Sequence, residues 1–274
     1  NKIVTIYRKG IFENVGGEYW KDIFCWPYDI VDYNGKVGII VPSYQKQFFF
    51  KHGALAGKEK EGKWFSTAQF FSNKYPLKLD KAEIGDWMRY FIVCIKISRA
   101  VKRLHAAGLA HSDLSYKNVL VDPVSGTASI IDIDGLVVPG VFPPDVIGTP
   151  DFIAPEVIAT KHLAKTDPNR KLPNINTDKY ALAVMVYMYL LKRHPLRGGK
   201  VNFVGDDPNK DEDLSMGEKA IFIEHPTDKS NSNPKKLFNS QPQKLPYYEP
   251  WIDLNKLPYT ICGPYLSSRF EKAF

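Results

Sequence analysis

The chain has 274 residues, 44% of them hydrophobic and 24% charged, and carries a formal net charge of +7. Those proportions describe an ordinary globular protein, large enough for one big domain or for two lobes sharing a cleft. Its Lys and Arg residues never form a run of five, so the charge describes a solvated surface with some attraction for phosphate and not a nucleic-acid-binding face. Only three cysteines occur, Cys25, Cys94 and Cys262. An odd, scattered set argues against a disulfide framework and for a reducing compartment. None stands near His or Cys at zinc-ligand spacing, and core packing is the expected role. The longest apolar run, Ala181 to Leu191, is too short to span a bilayer, and no signal segment is recognisable. A cytoplasmic protein with no membrane partner is expected. Because the chain opens on Asn1 and stops at Phe274 inside a helical pattern, it also reads as a fragment.

Taken in chain order, Ile3, Val4, Ile6 and Tyr7 fit either a strand or one side of a helix, and a helix with its exit loop is preferred. The pair Gly16-Gly17 lacks a following glycine and a strand-turn-strand setting, so it does not make a phosphate-cradling loop. Asn34-Gly35, between Ile30–Tyr33 and Lys36–Val41, predicts a hairpin, and Pro42 ends it by withholding a ladder donor. Residues 53 to 79 interleave Gly and Lys with Trp64, Phe65, Phe70 and Phe71, an ordered insertion on aromatic anchors. Asp80, with Glu83 three positions on, resembles a capping box. From Ile84 the apolar residues Trp87, Met88, Phe91, Ile95 and Leu104 keep a helical period as far as Gly108, so one long helix from Asp80 is expected. Asn118–Val121 and Ala128–Ile131 read as strands joined by the turn at 122–126, a hairpin that brings Asn118 and Asp132 to neighbouring ends. A further helix begins at Asp178, capped near Asn176-Thr177 and closed by His194-Pro195. Being apolar on nearly all sides, it must be buried. Residues 198 to 250 read as surface loops with a helical island around Met216 to Phe222.

The chemistry concentrates in His111-Ser112-Asp113-Leu114-Ser115-Tyr116-Lys117-Asn118, an acid and an amide five positions apart between a long helix and an apolar strand. Downstream come Ile130-Ile131-Asp132-Ile133-Asp134-Gly135, then Gly148-Thr149-Pro150-Asp151-Phe152-Ile153-Ala154-Pro155-Glu156, then Asp178. In this order they resemble the catalytic loop, the metal-binding Asp motif, the end of the activation segment and the F helix of protein kinases. The resemblance covers about residues 25 to 200. More narrowly, Cys25-Trp26-Pro27, His111-Ser112-Asp113-Leu114-Ser115 and Asp132-Ile133-Asp134-Gly135 look like bacterial kinases associated with tellurite-resistance gene clusters. Bacterial kinases that carry helix-hairpin-helix regions share the pattern more loosely.

The resemblance implies an α+β, bilobal protein-kinase-like fold. Residues 1–44 would be an incomplete, β-rich N-lobe with the hinge, and residues 45–274 a larger, mainly helical C-lobe. It implies ATP and Mg2+, transfer to Ser or Thr of a protein substrate, and a phosphatase and a von Willebrand-type domain protein as partners. Asp113 is then the base or positioner for the substrate hydroxyl, and Asn118 a metal ligand supplying a neutral oxygen. Thr149 bonds Asp113 and shapes a pocket for Ser/Thr over Tyr. Asp132 and Asp134 compete as the metal-binding carboxylate; Asp132 is preferred because two apolar residues precede it, and Asp134 adds a ligand or caps the turn. Val41 to Tyr44 form the hinge, with backbone near Ser43 and Tyr44 on the adenine. His111 is structural. Lys117 is assigned to the γ-phosphate, although many Ser/Thr kinases place that lysine where this chain has Ser115.

Two departures agree with each other. The arginine usual before the catalytic Asp is Ser112, and between Gly135 and Gly148 there is no Ser, Thr or Tyr but Pro139, Pro143 and Pro144. With neither a phosphate acceptor nor its arginine, the segment is expected to be set by packing and proline stiffness and not by phosphorylation. Arg269 is out of context as the usual partner of Glu156, which is expected beyond residue 274. No glycine-rich loop, phosphate-gripping lysine or helix glutamate is identifiable, since neither Lys2 nor Lys9 stands in a Val-Ala-Ile-Lys setting. An active Ser/Thr protein kinase leads. A pseudokinase scaffold and a small-molecule phosphotransferase of the aminoglycoside-kinase type stay open, the latter disfavoured by the Gly-Thr-Pro…Ala-Pro-Glu platform.

Overall fold

The computed structural model of the protein describes residues 2–11, 20–21, 23–71, 77–138, 140–142, 144, 146–232 and 258–274. The first residues are a helix, α1 (Lys2–Ile11), so neither Lys2 nor Lys9 is a strand lysine. The buried Ile6 shares a core with Trp20, Phe24 and Trp26. Trp20 stands 5.0 Å from Phe24 and 4.6 Å from Trp26, ring centre to ring centre, and such aromatic pairs add about 0.5–1.5 kcal/mol each beyond the area they bury.

Strands β1 (Asp29–Tyr33) and β2 (Lys36–Ile40) pair antiparallel with Tyr33 opposite Lys36. Asn34 and Gly35 both take positive φ, 53° and 75°, the turn whose twist matches right-twisted strands. Asp32 Oδ1 accepts the Gly35 N–H at 3.0 Å. After Pro42 the insertion is anchored by buried Phe48, Phe50, Leu55, Trp64, Phe65 and Phe70. A buried ion cluster fastens it further: Lys60 Nζ lies 2.8 Å from Glu83 Oε2 and 2.8 Å from Asp122 Oδ1. Glu83 Oε1 also accepts the backbone N–H of Lys51 at 2.6 Å and of His52 at 2.9 Å. Burial pushes both carboxyls up, but the bonds from Lys60, with the backbone donors on Glu83 and Ser125 on Asp122, outweigh it and hold both below the usual carboxylate range.

The long helix expected from Asp80 is broken. Asp80 caps a single turn, Lys81–Ile84, accepting from Ala82 N at 2.9 Å. Gly85 then takes φ 66° against Pro123, where a Cβ would lie 2.3 Å from the carbonyl oxygen. Asp86 starts a new helix, α2 (Trp87–Ala106), by accepting from Arg89 N at 3.0 Å. Glu83 closes no capping box because its oxygens serve Lys60 and the 51–52 backbone.

Strands β3 (Val119–Asp122) and β4 (Thr127–Ile130) pair with Val119 opposite Ile130, and α2 packs on β4. The short helix α3 (Pro155–Thr160) precedes α4 (Ile175–Leu191), which also packs on α2. Helix α4 is capped earlier than Asn176-Thr177: Asn174 Oδ1 accepts Asn176 N at 2.8 Å, and Thr177 Oγ1 accepts Asn174 N at 2.9 Å. This reciprocal box contributes about 1 kcal/mol and puts Asp178 inside the first turn. The helix ends before His194-Pro195, because Lys192 turns left-handed at φ 57°. Helix α5 (Pro208–Met216) precedes the expected island, since Asp207 caps it by accepting Asn209 N at 3.0 Å. Part of the 198–250 stretch, residues 233–250, lies outside the described residues. The last helix is α6 (Gly263–Ala273).

One hydrophobic cluster runs from Ile6 and Trp20 through α2, β3, β4 and α4 to Phe270, in a mixed α+β arrangement. Within it Lys192 Nζ donates to Phe65 O at 2.6 Å and Tyr189 O at 2.7 Å, and stands 3.7 Å from the centre of the Tyr90 ring. Burial pushes its ammonium well down. Cys25 and Cys94 are buried and Cys262 half-buried, all as free thiols. Among the described residues no helix is long and apolar enough to cross a membrane.

Candidate active site

The loop after α2 is fixed from below by one carboxylate. Asp178, 1% exposed, accepts His111 N at 2.7 Å and His105 Nε2 at 3.0 Å on Oδ2, and Ser112 N at 3.0 Å on Oδ1. Three donors compensate the burial of the charge. They also hold Ser112 at φ 65°, a conformation that costs a non-glycine residue about 1–2 kcal/mol. His111 Nε2 donates to Ile131 O at 3.1 Å, which fixes its tautomer and sets it under the Asp132 turn. Ala110 and Val137 exchange backbone bonds of 2.9 and 2.7 Å, and Ser112 Oγ donates to Gly135 O at 3.3 Å. The loop and the start of the following segment are therefore one bonded unit.

On this base the predicted residues converge. Asp113 Oδ1 accepts Thr149 Oγ1 at 2.7 Å, and its Oδ2 accepts Asn118 Nδ2 at 3.1 Å. The same Nδ2 donates to the Asp113 carbonyl at 2.8 Å. Thr149 gets there because Gly148 takes φ 117°, where a Cβ would lie 3.2 Å from Ile153 Cγ1 and 3.5 Å from Ser112 O. Asn118 is held by its N–H on Ser115 O at 3.1 Å, and its carbonyl accepts Ile131 N at 3.0 Å. That last bond sets Asn118 beside the turn that begins at Asp132, which is left-handed at φ 60°. The side chain of Asp134 lies outside the described residues.

With Asn118 Nδ2 committed to Asp113, no described group donates to its amide oxygen. An amide oxygen next to a carboxylate-bearing turn suits a hard cation. Magnesium typically takes one or two protein oxygens and completes its shell with water and substrate phosphates. Among the described residues, which leave out the Asp134 side chain, no three His, Cys, Asp or Glu side chains gather to hold a metal.

The remaining predicted residues spread outward. Tyr44 is half-buried against Cys25, Phe48, Leu120 and Ile131, on the strand that leaves Asn118. Burial, and after it neighbouring Cys25, Glu59, Asp132 and Glu61, push its phenol up. Val41 and Ser43 are exposed in a segment without regular secondary structure. Lys117 is exposed, with its backbone N–H on Ser115 Oγ at 3.3 Å. No described residue bonds its ammonium, and it is not drawn to Asp113. Of the segment's prolines, Pro139 and Pro143 lie outside the described residues. Glu156 is exposed and has no ion pair among the described residues; Arg269 lies 5.0 Å from the Tyr265 ring centre instead.

Sequence reasoning missed the anchoring by His105 and the serine link to Gly135. A lone acid on an otherwise apolar helix was the available signal for Asp178. Nothing marked His105, which needs the helix-to-helix register to reach it.

The family model described as the protein kinase domain matches residues 78–242, and the chain belongs to this family. Death-associated protein kinase dapk-1 of Caenorhabditis elegans is 30% identical over 141 residues, which cover 50% of this chain and 8% of that protein. Serine/threonine-protein kinase PSK2 of Saccharomyces cerevisiae is 27% identical over 169 residues, 60% of this chain and 13% of that protein. A dual serine/threonine and tyrosine protein kinase of Apis mellifera is 26% identical over 81 residues, 30% of this chain and 8% of that protein. The chain thus matches only a small part of the length of these relatives.

Proposed function

We propose that the chain carries the catalytic part of an ATP- and Mg2+-dependent Ser/Thr protein kinase, with residues 45–274 as its larger lobe and 1–44 as a partial small lobe and hinge. The observation that carries this reading is the Asp113 carboxylate, bonded on one oxygen by Thr149 at 2.7 Å and on the other by Asn118 at 3.1 Å. In this reading Asp113 orients the substrate hydroxyl and takes its proton. Asn118 Oδ1 and Asp132, with Asp134 as a further carboxylate, hold magnesium, which when bound neutralises charge on the transferring phosphoryl group. Lys117 meets the γ-phosphate, and Val41, Ser43 and Tyr44 border the adenine. Thr149 on Asp113 favours Ser/Thr acceptors, as does the name of the yeast relative.

The activation segment works without phosphorylation. Its start is tied to Ser112, in place of an arginine, at Gly135 O, and it offers no hydroxyl between Gly135 and Gly148. Kinship with bacterial tellurite-cluster and helix-hairpin-helix kinases, and a phosphatase and a von Willebrand-type domain protein as partners, rest on the Cys25-Trp26-Pro27, His111-Ser112-Asp113-Leu114-Ser115 and Asp132-Ile133-Asp134-Gly135 strings, whereas a cytoplasmic location rests on the three scattered cysteines. The test is magnesium-dependent transfer from γ-labelled ATP by the full-length protein against Asp113→Ala and Asp132→Ala. Loss of labelling in both variants is expected; equal labelling in all three proteins sinks the proposal.

A further inference from the structure

Two residues past Thr149 the activation segment makes a turn at Asp151, φ 75°, that two separate parts of the chain converge on. Arg197, in the loop after α4, donates Nε to Asp151 Oδ1 at 2.8 Å and Nη1 to Glu212 Oε2 on α5 at 3.0 Å. Its Nη2 lies between the two carboxylates and bonds both. The backbone of the same turn is held as well. His194 Nδ1 accepts Leu196 N at 3.1 Å, so Nε2 carries the proton and donates to Asp151 O at 2.9 Å. Next in sequence, Phe152 packs edge-on to Tyr116 of the catalytic loop with ring centres 4.8 Å apart. Glu156, five residues on, has no ion pair among the described residues.

We propose that Arg197 is a positioning residue whose permanent charge clamp, Asp151–Arg197–Glu212, holds the end of the activation segment so that Thr149 stays on Asp113 and the segment receives a protein substrate. The inference rests on the protein-kinase reading and supplies the device that replaces a segment phosphate. A guanidinium suits the task because its planar fork binds two carboxylates at once, which an ammonium does not. The three side chains are partly exposed, at 45% for Arg197, 21% for Asp151 and 42% for Glu212. Their contribution to global stability is therefore small, and the effect is local.

The experiment uses the full-length protein, with dephosphorylated casein as acceptor and amide hydrogen exchange as a second readout. The reporter is the Phe152 amide, which donates to Thr149 O at 3.0 Å. In Arg197→Met the exchange at Phe152 quickens and the KM for casein rises, each by about two- to fivefold, while the KM for ATP stays. Arg197→Lys falls between, and Asp151→Asn combined with Arg197→Met is no worse than either alone. Wild-type exchange together with a wild-type casein KM in Arg197→Met overturns the clamp. If the wild-type protein transfers no phosphate, the kinase reading fails, but the exchange rates still decide the clamp. Should Arg197→Met not fold, Glu212→Gln removes one arm and is held to the same outcomes.

Discussion

Asp178→Asn tests how much of the site depends on one buried carboxylate. The change keeps size and shape but leaves one oxygen where two accept bonds from His111 N, His105 Nε2 and Ser112 N at 2.7, 3.0 and 3.0 Å. The best placement of the amide keeps its oxygen on the His111 and His105 donors and turns its NH2 against the Ser112 N–H. One charge-assisted bond is then lost, worth about 1.5–3 kcal/mol, and two become neutral bonds of about half that strength. The total is about 3–6 kcal/mol. With a urea dependence of about 3 kcal/mol per molar, the unfolding midpoint should fall by about 1–2 M at unchanged slope. The strain at Ser112 supplies an internal check. Ser112→Gly should return about 1 kcal/mol while Asp178 enforces φ 65°, and clearly less on the Asp178→Asn background, where the released Ser112 N–H lets the serine relax. Phosphate transfer should fall further than stability does, because Asp113 follows Ser112 directly. A midpoint within about 0.3 M of wild type would refute the reasoning, since no buried three-donor carboxylate can be neutralised at so little cost.

Three other outcomes follow from the same geometry. Thr149→Val, which removes the hydroxyl on Asp113, should lower kcat by about tenfold or more while Thr149→Ser stays within about threefold, measured in steady-state transfer assays. Lys60→Met should cost about 3–5 kcal/mol near neutral pH in urea unfolding, because it strands two buried carboxylates. Glu83 and Asp122 are held below their ordinary values, so their contribution is complete above the unfolded values, about 4.3 and 3.9, and is lost as pH falls through the folded ones; the gap between wild type and Lys60→Met should therefore shrink in acid. Lys192 has the opposite consequence. Its depressed folded value means the unfolded chain binds the extra proton, so wild type should gain stability relative to Lys192→Met as pH rises from that lowered value toward the unfolded one, about 10.4, and parallel pH profiles would contradict the lowering.

Some of this was legible because short-range chemistry decided it. Asn34-Gly35 can be little else than a tight hairpin turn, since both residues accept positive φ. The acid and amide at Asp113 and Asn118 announced a site because their spacing is set by a loop that bonds to itself. The helix from Asp80 was misread for a tertiary reason: Asp80 and Asp86 are equally good caps, and the break between them comes from Gly85 lying against Pro123. Lys60, between Glu59 and Glu61, looks like any solvated stretch until the fold brings Asp122, 62 residues on, to its ammonium. Asp178 resembled a helix-start acid, whereas Asn174 does that work and Asp178 is turned to the loop. Arg197 could not be found at all, because its two acids come from distant segments.

The buried Lys192 ammonium bonds Phe65 O across 127 residues of chain, and Trp87 Nε1 bonds Leu190 O across 103. Contacts so far apart are assembled late, since the chain must close a long loop before it gains from them. During synthesis, at about 5–20 residues per second, roughly 6 to 25 s separate the appearance of Phe65 from that of Lys192. Through that interval Trp64, Phe65 and Phe70 have emerged without the end of α4 that later covers them. The aromatic insertion is therefore a part of the nascent chain exposed to aggregation through that interval, and a stretch that a holding chaperone would bind.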